Sequence, residues 1–114
     1  SGEIQGQAGV LLTGKHLENE KSISSLTGDI ALSLDSAENK GTGFIGTHQN
    51  LTINIGGQFD NQGQLVATKH LQFMGNGSLV NKGALEGKEK LSIFLPTLVN
   101  QGTLTSEKHI ELID

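Results

Sequence analysis

The sequence predicts an all-β chain wound as a right-handed parallel β-helix, a solenoid of about 20 residues per coil and five to six coils. Three observations predict it. A motif Asn-x-Gly-x-apolar recurs at near-constant spacing, the apolar residues of successive copies fall into columns, and within a copy they alternate with period two. The motif is complete at Asn61-Gln62-Gly63-Gln64-Leu65, Asn81-Lys82-Gly83-Ala84-Leu85 and Asn100-Gln101-Gly102-Thr103-Leu104, and degenerate at Asn39 and Asn19. Successive Asn residues lie 20, 22, 20 and 19 positions apart.

Each part of a copy follows from its column. Two places before the Asn stand Leu17, Ala37, Phe59, Leu79 and Leu98. Four places after it stand Ile4, Ile23, Ile45, Leu65, Leu85 and Leu104, where Ile45 requires a two-residue insertion in the Thr42 to Phe44 stretch. A column of small residues follows at Gly6, Ser25, Thr47, Ala67, Gly87 and Ser106. Two further apolar columns close the copy: Val10, Ile30, Leu51, Leu71, Leu91 and Ile110, then Leu12, Leu32, Ile53, Phe73, Ile93 and Leu112. Period two places alternate side chains on opposite faces of a strand, so each column is an inward-facing position. Parity breaks between Leu95 and Leu98, which marks a corner, and Pro96 suits it because proline cannot donate to a ladder. No 3.6-residue period appears, so the strands of a copy must pair with those above and below. The right-handedness of parallel crossovers sets the expected hand.

The Asn column (Asn19, Asn39, Asn61, Asn81, Asn100) shares parity with the apolar columns, so its amides are expected inside, bonded to one another and to corner backbone. The glycines two places later, Gly41, Gly63, Gly83 and Gly102, are expected to supply positive φ or a close turn. Together these residues form the predicted structural ladder.

Composition limits the function classes. The chain carries eight Lys and no Arg against 12 Asp plus Glu, for a net charge of −4, and phosphate binding needs clustered positive charge, so no nucleic-acid partner is expected. There is no Cys, hence neither a disulfide framework nor thiol chemistry. No apolar run has the length of a membrane-spanning helix. The repeat enters partway through a copy and stops at a strand end without a polar cap, so residues 1–114 are expected to be a single fragment of a longer shaft.

Several outward positions invite a functional reading. Glu18, Glu38 and Asp60 stack in successive coils, but a hard cation needs more oxygen ligands than they offer, so a solvated acidic stripe is expected and no metal. His70 and His109 are equivalent, yet Lys90 lies between them, which is hostile to a metal site. The outward stripe Thr13, Ser33, Asn54, Met74, Phe94, Ile113 turns apolar in its second half. With Val80 and Val99, the residues Met74, Phe94 and Ile113 are the candidate partner contacts. The irregular insertion around Gly41 to Gly46 is a second candidate. β-Helices also host polysaccharide-degrading enzymes, but their carboxylate pairs work with Arg, Lys and aromatic platforms, and this chain has no Arg, Trp or Tyr. Neither catalysis nor a cofactor is expected.

The copies Phe59–Gly75 and Leu79–Leu95 resemble the haemagglutinin repeats of filamentous haemagglutinin and related exoproteins exported by two-partner secretion, including contact-dependent growth-inhibition toxins. The similarity covers nearly the whole chain and is strongest from Phe59 to Leu112. The resemblance implies a β-helix shaft, secreted or on the surface of a Gram-negative cell, that presents a distal adhesive or toxic activity. It also implies passage through an outer-membrane transporter, packing against neighbouring coils of the parent protein, and an encounter with a host or bacterial surface receptor or glycan. The Asn-Pro motifs usual in the family's secretion domain are absent here.

Overall fold

The computed structural model describes residues 4–6 and 9–113, with Gln5 and Ile113 through their backbone alone. Fifteen strands follow in chain order: β1 (Ile4–Gln5), β2 (Val10–Asn19), β3 (Ser22–Ser25), β4 (Ile30–Asn39), β5 (Phe44–Thr47), β6 (Leu51–Ile55), β7 (Gln58–Asn61), β8 (Gln64–Ala67), β9 (His70–Met74), β10 (Ser78–Asn81), β11 (Ala84–Gly87), β12 (Lys90–Phe94), β13 (Thr97–Asn100), β14 (Thr103–Thr105) and β15 (His109–Ile113). The described residues contain no helix. Every pairing is parallel and joins one coil to the next. The chain is a parallel β-solenoid of about 20 residues per coil and about five turns.

The registers reproduce the sequence columns. Ile45, Leu65, Leu85 and Leu104 are vertical neighbours in the six-stranded sheet β1-β3-β5-β8-β11-β14. Leu51, Leu71, Leu91 and Ile110 are vertical neighbours on a second face, and Phe59, Leu79 and Leu98 on a third. These two faces form one nine-stranded sheet because β4 runs through the corner between them, pairing with β6 through Ile30–Leu34 and with β7 through Ala37–Asn39. The inward columns therefore meet in one continuous core of aliphatic side chains with Phe59 and Phe73 among them. Burial of one such leucine stabilises by roughly 2 kcal/mol, so the repeated columns supply most of the driving force. Phe59 and Phe73 meet edge to face in its middle, with ring centroids 5.5 Å apart and planes at 83°.

The corner that β4 spans also shows an inward column at Leu34, Ile55 and Leu95, all buried, beyond those set out from the sequence. Its strands split where the residues require it. Gly56 and Gly57 follow β6, Gly75-Asn76-Gly77 follows β9, and Pro96 follows β12. Gly75 has φ of +123°, and a Cβ there would strike Ile55 O, so no other residue fits. In β2 and β4 neither two glycines nor a proline interrupts the corner, and the strands run ten residues.

Candidate functional site

The inner corner is organised by amides. Asn19 Nδ2 donates to Asn39 Oδ1, Asn39 to Asn61, Asn61 to Asn81 and Asn81 to Asn100, each at 2.8 Å. The same nitrogens donate to carbonyls of the next coil, Asn39 to Gln64 O at 3.2 Å and Asn61 to Ala84 O at 3.2 Å. Asn19, Asn39, Asn61 and Asn81 are fully buried and Asn100 is exposed on the last coil. Asn is suited to this place because its amide carries donor and acceptor together, so each copy satisfies its neighbour.

The glycine ladder differs from expectation at one position. Gly63, Gly83 and Gly102 stack as expected, but the residue beneath Gly63 is Gly43, whose carbonyl oxygen a Cβ on Gly63 would strike. Gly41 lies on an exposed turn with open space around it. The two extra residues of this coil thus fall before Gly43, and Gln64 N donates to Gly43 O as Ala84 N does to Gly63 O. None of the four ladder glycines has positive φ; close approach of stacked backbones is what requires them.

On the outer faces, the register sets Met74 beside Phe94 and Phe94 beside Ile113. Val80 pairs beside Val99 on the next face. Met74, Phe94 and Val80 are half-buried and Val99 is 41% exposed; the side chain of Ile113 lies outside the described residues. The structure thus makes two short apolar strips, separated by the corner at Gly75–Gly77 and Pro96.

The acidic stripe is partly neutralised. Lys40 Nζ lies 3.4 Å from both Glu18 Oε2 and Glu38 Oε2, and this pair of carboxylates, Glu38 foremost, raises the ammonium's pKa. One oxygen of Asp60 is buried without a hydrogen-bond partner among the described residues. No group of three His, Cys, Asp or Glu able to hold a metal occurs among the described residues.

His70 Nε2 lies 2.8 Å from Ser92 Oγ, and Lys90 Nζ lies 3.1 Å from Glu111 Oε1. Burial first, then the Lys90 charge, lowers the His70 pKa below that of a free imidazole, with Glu111 opposing. Ser92 is fully buried.

A half-open cleft of about 620 Å³ lies on the outer face of the six-stranded sheet. Its floor is Gly46, over which the Phe44 ring lies so closely that a Cβ would overlap Cζ. Val66, Leu26 and Lys88 line the sides, and Leu26 is 62% exposed. The outward position of Phe44 is Ser22, Gln64, Ala84 and Thr103 in the other coils, so the aromatic is a local departure from the repeat. Phe44 and Gly46 belong to the irregular stretch singled out in the sequence, but the contact between them gives no sequence signal, since outward positions do not report the core period.

Compared with protein family models, curated proteins and solved structures, the chain shows no match to any.

Proposed function

We propose that this chain is a non-catalytic shaft segment of a large bacterial exoprotein of the filamentous-haemagglutinin repeat kind, secreted or held on a Gram-negative cell surface. Its work is mechanical: it keeps a distal adhesive or toxic activity away from the cell. The observation that carries this reading is the uninterrupted amide ladder from Asn19 to Asn100, four successive links of 2.8 Å. A ladder of this kind fixes the rotation of each coil on the next, which gives a rod its stiffness. The recurrent cross-section supports the same reading, because a spacer needs length and a catalytic cleft needs irregularity. In this reading the parent chain crosses the outer membrane through a transporter before it folds.

Removal of residues 61–80 from the parent exoprotein tests it. Asp60 and Val80 occupy the same register position, so the cut rejoins the coil in phase. A spacer should stay folded and keep its distal activity. Loss of surface attachment with the fold intact would instead favour the second reading, a direct receptor- or glycan-binding module. That reading is supported by the cleft at Phe44, since extended repeat surfaces bind through local departures from the repeat.

A further inference from the structure

We propose that the cleft over Gly46 is a lateral subsite for an acidic saccharide, with Lys88 meeting the sugar carboxylate and one ring face lying on Phe44. The inference rests on the second reading above, a glycan-binding module, and leaves the shaft reading untouched, because a rod can carry a subsite on its flank.

Four observations lead to it. First, two of the insertions in the repeat fall beside this cleft. The step from the small column to the next apolar column is five residues from Ser25 to Ile30 and four from Thr47 to Leu51, Ala67 to Leu71 and Gly87 to Leu91. The extra residue falls in the turn that carries Leu26, and the two extra residues before Gly43 fall just ahead of Phe44. Second, the tip of the Phe44 ring occupies the space where a side chain would stand at position 46, and glycine there is what permits it. The half-buried Phe44 side chain, lining the cleft with Val66, offers apolar surface to the C–H face of a sugar ring.

Third, Lys88 is the one lysine of the lining, and no carboxylate stands within 4 Å of its ammonium among the described residues. A cation without a partner at the rim favours an anionic group on the ligand. Fourth, the cleft lies on the face of a sheet whose inner strands are paired on both sides. A peptide strand binds by adding to a sheet edge, whereas Phe44, Gly46 and Val66 of the lining lie in β5 and β8, which are paired on both sides. A saccharide needs hydroxyl partners instead, and Ser24 and Thr68 supply them from the wall with no side-chain hydrogen bond of their own among the described residues. The volume lies within the range of small-molecule sites, about 300–1,000 Å³.

The test is a ¹H–¹⁵N shift titration of the whole chain with oligosaccharides containing galacturonate, glucuronate or sialic acid. A neutral trisaccharide and an acidic peptide serve as comparisons. At least one acidic sugar should shift the amides of Ser24, Gly46, Thr68 and Lys88 together. Lys88→Gln should weaken that binding about tenfold, the worth of one charge-assisted hydrogen bond. Phe44→Ala should weaken it by a similar factor, about tenfold for one lost apolar platform. Lys88 is exposed, so Lys88→Gln keeps the test decisive even where Phe44→Ala disturbs the fold. The proposal is overturned if no acidic sugar shifts these amides, if the neutral sugar binds as well, if the acidic peptide binds more tightly, or if Lys88→Gln leaves the affinity unchanged.

Discussion

The two ends of the third face turn by different rules. At the corner after the Asn column the coils repeat the same chemistry: an amide, buried from Asn19 to Asn81, its vertical neighbour at 2.8 Å and, from Gly63 onward, a glycine pressed against the one below. At the corner entering that face, the step from the last inward residue to the next is three residues from Leu34 to Ala37, four from Ile55 to Phe59 and three from Leu95 to Leu98. One version is continuous strand, one uses paired glycines and one a proline. The difference is energetic. A buried amide must find partners in the adjacent coils, so its identity and place are fixed by the neighbours. A corner whose backbone groups pair along the ladder or reach solvent has only to redirect the chain, and several residue sets do that.

The largest test of this contrast is Asn61→Asp. The carboxylate cannot donate to Asn81 Oδ1, Gly63 O or Ala84 O, and it places charge at a fully buried position. The expected loss is about 3–5 kcal/mol by denaturant unfolding at neutral pH. The sign of its pH dependence is a further signature. Burial and facing carbonyls raise the folded-state pKa of the new carboxyl above its unfolded value, so protonation is favoured in the fold. The variant should therefore regain part of its stability as pH falls through the folded pKa toward the unfolded one, near 4. An Asn61→Asp protein as stable as the parent at pH 7 would mean that the ladder is dispensable.

A smaller effect depends on whether a glycine touches the coil below, which Gly57 and Gly77 also do at the entering corner. At Gly63 a Cβ would strike Gly43 O and Lys40 O, both backbone, so Gly63→Ala should cost about 2–3 kcal/mol. Gly56, at the permissive corner, has negative φ and its nearest neighbour at 3.8 Å, so Gly56→Ala should change stability by less than about 0.5 kcal/mol in either direction. Equal melting shifts for the two variants would erase the distinction. The smallest effect belongs to the outer surface: Lys90→Ala removes the half-exposed contact with Glu111 and should move unfolding by less than about 1 kcal/mol.

The same contrast explains what could be read in advance. The inward columns are legible because alternation and repetition report together, so Leu65, Leu85 and Leu104 align in the sequence before they align in space. The Asn ladder is legible for the same reason. Gly43 is less so, because two added residues between Asn39 and Ile45 can be placed on either side of a glycine, and Gly41 keeps the motif spacing while Gly43 keeps the contact. The column Leu34, Ile55, Leu95 is obscured because Gly75 interrupts it and the step after it varies. The ring of Phe44 on Gly46 lies beyond period arguments altogether, since an outward position is constrained by neither core nor ladder.

The central claim is that successive coils lie in register, and nuclear Overhauser contacts in solution test it most directly. In-register stacking places the amide protons of the Asn61 and Asn81 side chains in contact, and likewise the methyl groups of Leu65 and Leu85 and of Leu85 and Leu104. Cross-strand contacts of antiparallel order, or leucine methyls from these three positions with no contact between neighbours, would contradict it.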